Sequence, residues 1–467
     1  MTDGRPAALF VAPVMPAPAG NGLAMRAAMT LDALAAGFAV HLLVVPVSGG
    51  ARRASAFVRS RTESVAVEVP APEDDHLAGL DPARTAALAM ASPRPLACRF
   101  ATPAFRARIA ARYAGRRFAL VHVMRLYMAP YAADLIDGPA VLDLDDDEPR
   151  TRERVAALLA LRGEAGAARL EAREAERYAA LEPVWQGRFC RILVGSEADR
   201  ERLVARLAGQ SGEGRGGSRI EISPPLLPAS GRRGRRQASP ACPRGKRVRS
   251  PHPIALSRLD GSRLAVVPNA VRLPALAPPH RPDGTRRLLF VGTLGYLPNA
   301  DAAAWLCRDI LPLLREQMGE AVGVRIVGNG AGPEVQALGM LEGVELAGGV
   351  ADLGARYRQA EVVVVPVRAG GGTRIKLLEA LAHARPVVAT TIGAEGIDVT
   401  VGRHLLIADS PTEFAAACAR LLRDPVLAAD LAANGHARVA ETYGYDAIVK
   451  GLARLFAATA APNGVAL

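Results

Sequence analysis

The stretch Gly370-Gly371-Gly372-Thr373-Arg374-Ile375-Lys376-Leu377-Leu378-Glu379 brings three glycines, two cations and a carboxylate close together. The apolar run Val362–Val365 before it reads as a buried strand, and the spacing predicts a helix over 373–384 with Thr373 as its N-cap. Glycines ahead of a helix N-terminus let free backbone amides approach a ligand, and those amides with the helix dipole favour an anion such as a phosphate. Lys376 and Glu379 are three residues apart and share a face, while Leu377, Leu378 and Leu381 turn to the sheet. On that face a cation can meet a diphosphate, and one turn on a carboxylate can accept the vicinal hydroxyls of a ribose. The same residues also suit a plain glycine turn followed by a solvated Lys–Glu pair, and their types alone do not separate the two. Lys376 is one of only three lysines in a chain that otherwise writes arginine, which favours a specific role.

The first half holds a parallel feature. After the apolar run Leu9–Ala12 come Gly20-Asn21-Gly22 and a helix carrying Arg26, a turn whose amides would face the crevice of an α/β domain. An ordinary strand–helix turn fits equally. Asp143, Asp145, Asp146, Asp147 and Glu148 crowd one strand end, suiting either a polar substrate contact or a divalent cation, although no second carboxylate cluster completes a metal site. His122 ends another strand, placed to face the crevice or to stay in the core. The helix 105–117 carries Arg106, Arg108, Arg112, Arg116 and Arg117, a face for an anionic membrane surface or simply for water. Gly328-Asn329-Gly330-Ala331-Gly332 looks like a dinucleotide fingerprint but follows the second strand of its domain, so a nicotinamide site is not expected there.

Helical segments such as Asn299–Gln317 separate short apolar runs in both halves. The runs are Leu9–Ala12, Val40–Val45, Val65–Val69, Leu120–Val123, Val141–Leu144 and Ile192–Val194, then Leu288–Val291, Val324–Val327, Val344–Leu346, Val362–Val365, Val387–Ala389 and Leu405–Ile407. This is the pattern of parallel sheets covered on both faces, and it predicts an α/β protein of two doubly wound domains facing across a cleft. The polar run Thr151–Ala180 reads as one surface helix. Of a net charge of +12, the segment 209–262 contributes eleven basic residues against three acids and has no periodicity, so it reads as a disordered insert, either a tether to anionic lipid or RNA or merely a tolerated loop. The domains are then 1–208, the insert 209–262, 263–445, and a C-terminal helix over 446–467 returning to the first domain. Five scattered cysteines, no leader pattern at the start and no long apolar run point to a reduced, cytoplasmic setting.

Six segments, in order, carry a resemblance. They are Val-Val-Pro-Asn-Ala-Val (266–271), Phe-Val-Gly-Thr-Leu-Gly-Tyr-Leu-Pro-Asn-Ala-Asp-Ala (290–302), Val-Arg-Ile-Val-Gly-Asn-Gly (324–330), Gly-Gly-Val-Ala-Asp-Leu (348–353), Gly-Gly-Gly-Thr-Arg-Ile-Lys-Leu-Leu-Glu-Ala-Leu-Ala (370–382) and Arg-Pro-Val-Val-Ala-Thr-Thr-Ile-Gly-Ala-Glu-Gly-Ile (385–397). The chain resembles the retaining glycosyltransferases of family 4, which have the GT-B fold of two Rossmann-like domains. Its branch is similar to the sugar transferases of exopolysaccharide and capsule synthesis.

The resemblance implies a nucleoside-diphosphate sugar as donor, a glycan or lipid-linked acceptor, no metal or other cofactor, no nucleic-acid partner, and a place at the inner face of the plasma membrane. It puts Glu379 on the ribose, the amides of Gly371, Gly372 and Thr373 on the sugar and phosphates, and Val350 with Asp352 beside the base. Gly22 would reach the distal phosphate, with Gly292 and Thr293 also beside the donor. The family's glutamate eight residues before the ribose-binding one is Gly371 here, and its arginine after the first strand of this domain is Thr293. Arg374 and Lys376 are then the candidate catalytic cations. On the facing domain, Arg26, His122, Arg125 and Asp145 are candidate acceptor-side residues; a second histidine common in the family is Met124. Gly371 also leaves open an inactive sugar-sensing scaffold, or another GT-B activity such as a nucleotide-sugar epimerase.

Overall fold

The computed structural model describes residues 4–47, 53–212, 263–275 and 286–461. The basic segment read as an insert lies outside them from 213 onward, and the helix Glu197–Gly212 runs to its edge. Two all-parallel sheets organise the chain. The first takes β1 (Ala7–Ala12), β2 (Ala39–Val44), β3 (Ser64–Val67), β4 (Leu120–Met124), β5 (Ala140–Asp143), β6 (Arg191–Val194) and β7 (Leu264–Val266) in the order β3-β2-β1-β4-β5-β6-β7. The second takes β8 (Arg286–Val291), β9 (Val322–Val327), β10 (Val344–Gly348), β11 (Val362–Val365), β12 (Val387–Ala389) and β13 (Leu406–Ile407) in the order β10-β9-β8-β11-β12-β13.

Strands such as the all-valine β11 are buried throughout because helices cover both faces of each sheet. In both sheets the strand order reverses between the first and fourth strands, so loops leaving their carboxyl ends open into a crevice. The glycine turns of both halves leave from there, Gly20–Gly22 after β1 and Gly370–Gly372 after β11.

Three details differ from the sequence reading. Leu264–Val266, taken as the start of the second domain, pairs with β6 and closes the first sheet, so that lobe extends past residue 263. The polar run after 150 is a hairpin of two helices, Glu148–Leu161 and Ala165–Gln186, turned at Gly163 with φ +79°. The helix read over 299–317 is interrupted by a π turn at Leu306–Ile310, beside Pro312, which offers no N–H to the regular ladder.

Among the described residues the chain passes between the lobes at two places, near Val271 and at Tyr443–Tyr445. The helix Tyr445–Ala460 returns to the first lobe, burying Ile448, Leu452 and Phe456 with Phe10, Leu31 and Leu34. At the crossings Val271 N–H donates to Tyr443 O at 2.9 Å and Tyr445 N–H to Val271 O at 3.0 Å, which joins the two passages side by side.

Candidate active site at the seam between the lobes

The loop 370–373 is shaped from behind by Arg374. Its guanidinium donates to the carbonyls of Gly370 (3.0 Å), Gly371 and Gly372 (3.2 Å) and to Ile392 O (3.3 Å). Arg374 is 8% exposed, so the cation expected to face a diphosphate holds the loop instead. Gly370 and Gly372 have φ of +98° and +69°, which only glycine adopts without strain. The helix Ile375–Ala382 begins after Arg374, and Thr373 does not cap it. The Thr373 hydroxyl is buried and unpaired among the described residues.

Lys376 and Glu379 stand on this helix one turn apart. Lys376 Nζ donates to Asn299 Oδ1 at 2.6 Å, lies 4.7 Å from the centre of the Phe290 ring, and sits against Gly292. Withdrawal from water and the nearby Arg374 charge lower its pKa to about 7, against the pull of Glu379. Glu379 accepts from Tyr357 Oη at 2.9 Å, and burial raises its pKa to about 6 despite that bond and Lys376. Tyr357 is stacked on His383, with centroids 5.0 Å apart. Its helix, Leu353–Gln359, is capped by Asp352, whose carboxylate accepts from Ala355 N and pairs with Arg358 at 3.1 Å. Asp352 is exposed, Val350 packs at the core edge, and Thr293 is exposed beside Gly292.

The first lobe closes on this face. A Cβ on Gly22 would lie 3.2 Å from Ile375 Cγ1, so the turn of the first lobe meets the start of the helix that follows the second glycine turn. A Cβ on Gly371 would run into the Asp146 carboxylate and the Thr151 hydroxyl. From the helix Glu148–Leu161, Arg154 donates to Gly370 O at 3.2 Å and pairs with Glu395, which also meets Arg202 at 3.4 Å and Arg150 at 3.8 Å. Arg162 reaches Glu334 at 2.7 Å. A cavity of about 10 Å³, room for no more than about one water, remains at the seam, lined by Asp146, Arg150, Thr151, Arg154, Gly371 and Glu395 among others.

Two acceptor-side candidates prove to be core residues. Arg26 is 1% exposed and binds Asp143 in a two-point pair (2.9 and 2.7 Å) while donating to Val267 O at 2.9 Å. His122 is fully buried between the edges of Phe10 and Phe456, neither ring nitrogen is hydrogen-bonded among the described residues, and burial lowers its pKa to about 3. Its side of β4 faces the returning C-terminal helix rather than the crevice.

Arg125 and Asp145 do lie at the crevice, both with positive φ (+76° and +59°), a strained state for side chains of this kind. Arg125 contacts Asp145 at 3.4 Å, Asp146 at 3.7 Å and Glu148 at 3.1 Å. Asp147 meets Arg202 and Arg206, at 3.1 and 3.0 Å. The carboxylate run is thus engaged by arginines, and no three described His, Cys, Asp or Glu side chains gather as a metal site.

Other signals resolve into structure. Gly328 lets two loops cross, since a Cβ there would run into Gly292 O. The basic helix ends at Arg112, short of Arg116 and Arg117, and its Arg106, Arg108 and Arg112 pair with Asp134, Asp74 and Glu68 at 2.6, 2.6 and 2.7 Å. No helix among the described residues is long and apolar enough to cross a membrane. The sequence reading includes Asp146 only as one member of the acidic run, and Thr151, Asn299, Tyr357 and Glu395 carry no site signal there.

Residues 285–424, most of the second lobe, match the family model described as Glycosyl transferases group 1. The architecture is similar to three solved structures. One is sucrose-phosphate synthase from Thermosynechococcus elongatus, 16% identical, covering 97% of this chain and 98% of that one, TM-score 0.58. OtsA is 12% identical with 97% and 99% covered, TM-score 0.57. Anabaena HepE, solved with UDP and glucose, is 14% identical with 96% and 99% covered, TM-score 0.54. The fold is GT-B, and its second lobe is a glycosyltransferase domain. A trehalose synthase of Rubrobacter xylanophilus is 36% identical over 110 residues, 23% of this chain. The chain spans about a quarter of that relative's length.

Proposed function

We propose that the protein transfers a sugar from a nucleoside-diphosphate sugar to an acceptor hydroxyl with retention at the anomeric carbon. The observation that carries this reading is the shared face of the 375–382 helix. Lys376 and Glu379 stand one turn apart at the mouth of a glycine loop, directly opposite the Gly22 turn of the other lobe. Glu379, oriented by Tyr357, receives the ribose hydroxyls, and Val350 and Asp352 flank the base. Lys376 and the amides of Gly371, Gly372 and Thr373 receive the diphosphate, with Gly292 and Thr293 beside it and Gly22 approaching from across the seam. Anabaena HepE was solved with UDP and with UDP-glucose, which makes a uridine donor the first to test.

As the glycosidic bond breaks, positive charge develops at the anomeric carbon and negative charge on the departing diphosphate. Fixed donors at Lys376 and the loop amides stabilise that negative charge without reorganising, the dominant electrostatic contribution in such sites. Lobe closure over Gly370 and Gly371 keeps water, a competing acceptor, from the reacting carbon. No metal is needed in this reading, because Lys376 and the amides hold the diphosphate. The acceptor is a glycan or lipid-linked glycan of cell-surface polysaccharide synthesis, which places the enzyme at the cytoplasmic face of the membrane.

The test is a thermal-shift and calorimetric screen of UDP-, GDP- and ADP-sugars, repeated with Glu379→Gln and Lys376→Ala. One nucleotide class should stabilise the wild type, with affinity down ~10-fold or more in each variant. Binding left intact by both substitutions would overturn the reading.

A further inference from the structure

The 371 position has no side chain, and a carboxylate from the other lobe occupies the space one would need. Asp146 leaves the carboxyl end of β5 and reaches Gly371 so closely that any Cβ there would collide with it. Thr151 Oγ1 donates to Asp146 Oδ1 at 2.9 Å, and Arg125 stands 3.7 Å away, so the carboxylate is aimed and only 9% exposed. The same loop presents the buried Thr373 hydroxyl with no partner among the described residues. A sugar joined to a diphosphate held at Lys376 and the 371–373 amides must leave that anchor toward this seam, because Glu379 and Tyr357 occupy the nucleoside side. There its hydroxyls meet Asp146, the acceptor-only group best suited to fix hydroxyl donors.

We propose that Asp146 is the carboxylate that engages the hydroxyls of the transferred sugar, presented to the donor from the opposite lobe when the lobes close. The inference rests on the donor reading above. Gly371 is its counterpart, since any side chain there would push Asp146 away. Donor-sugar recognition is then completed only in the closed state, and an open enzyme holds the nucleotide without gripping the sugar.

The experiment separates nucleotide binding from sugar handling. In Asp146→Asn and Asp146→Ala, affinity for the free nucleoside diphosphate should stay within ~3-fold of wild type, while kcat for transfer or donor hydrolysis falls ~100-fold or more. Thr151→Val, which removes only the orienting bond, should give a smaller fall of the same kind.

A pH profile adds a readout that a purely structural role would not move. Asp145, Arg125, Glu148 and Thr151 face Asp146 from its own lobe, and Arg374 and Tyr296 from the other. Burial, opposed by Arg125 and reinforced by Glu148 and Asp145, raises its pKa to about 7. The wild-type rate should climb with pH through that value, and the limb should vanish in Asp146→Asn. Wild-type kcat in Asp146→Asn, or equal losses of nucleotide affinity and kcat, overturns the inference. A wild type that binds no nucleotide sugar fails the donor reading itself.

Discussion

Lys376 and Glu379 sit one turn apart on a single helix, and burial moves both toward neutrality, the ammonium to about 7 and the carboxylate to about 6. Donor affinity should therefore have a plateau between roughly those values. Above it, binding an anionic diphosphate requires Lys376 to take up a proton, and affinity should fall by up to ~10-fold per pH unit. Below it, Glu379 gains a proton and loses acceptor capacity for the ribose. Calorimetry across pH 5 to 9 checks this. Lys376→Met should flatten the alkaline limb and Glu379→Gln the acidic one; an alkaline limb that survives in Lys376→Met sinks the assignment.

His122 gives a stability prediction with the opposite functional sign. Its pKa is about 3 in the fold against 6.5 unfolded, so the neutral ring costs nothing above 6.5. As pH falls from 6.5 toward 3, the unfolded chain takes up a proton that the native one refuses, and stability drops by ~1.4 kcal/mol per pH unit. His122→Phe keeps a ring between Phe10 and Phe456 and should lessen this acid sensitivity, raising stability at pH 5 relative to wild type by ~2 kcal/mol before any packing cost. Activity at neutral pH should be unchanged. Urea unfolding at two pH values decides it.

Arg26 and Asp143 form a pair almost wholly withdrawn from water, 1% exposed on each side. Removing either partner strands the other charge, so Arg26→Ala or Asp143→Ala should cost ~3–5 kcal/mol in chemical unfolding. Joint replacement by apolar residues should cost much less than the sum of the singles. Additive losses would contradict the pair.

Glu395 meets three arginines of the other lobe, and burial raises its pKa less than Arg154 and Arg202 lower it. Glu395→Ala should loosen the seam, seen as a larger radius of gyration by X-ray scattering and a donor KM raised by ~3–10-fold. Raising salt from about 0.1 M to about 1 M should expand the wild type in the same direction, since the pairs are partly open to solvent. No change in either would mean that apolar contacts such as Gly22 on Ile375 hold the seam.

The alternating apolar runs made both sheets legible, because a strand buried on both faces writes itself as uninterrupted Val, Leu and Ile. The Lys376–Glu379 face was legible too, since three residues of helix fix it locally. What sequence could not give was direction across the seam. Arg374 reads as a cation for a ligand until its guanidinium is seen turned back on its own loop's carbonyls. Arg26 reads as a crevice residue, and His122 as either crevice or core, until Asp143 and Phe456, distant in sequence, enclose them. Asp146 was lost among five neighbouring carboxylates, and only the absent Cβ of Gly371 distinguishes it.

The paired passages at Val271 and Tyr443–Tyr445 impose a mechanical consequence. A chain that spans two bodies once allows them to tumble in any direction; spanning them twice through adjoining, hydrogen-bonded segments leaves a door on one axis. Every swing then brings Asp146 back to the same loop and Gly22 back to the same helix end. The register of the seam is inherited from the hinge and is not searched for anew at each closure.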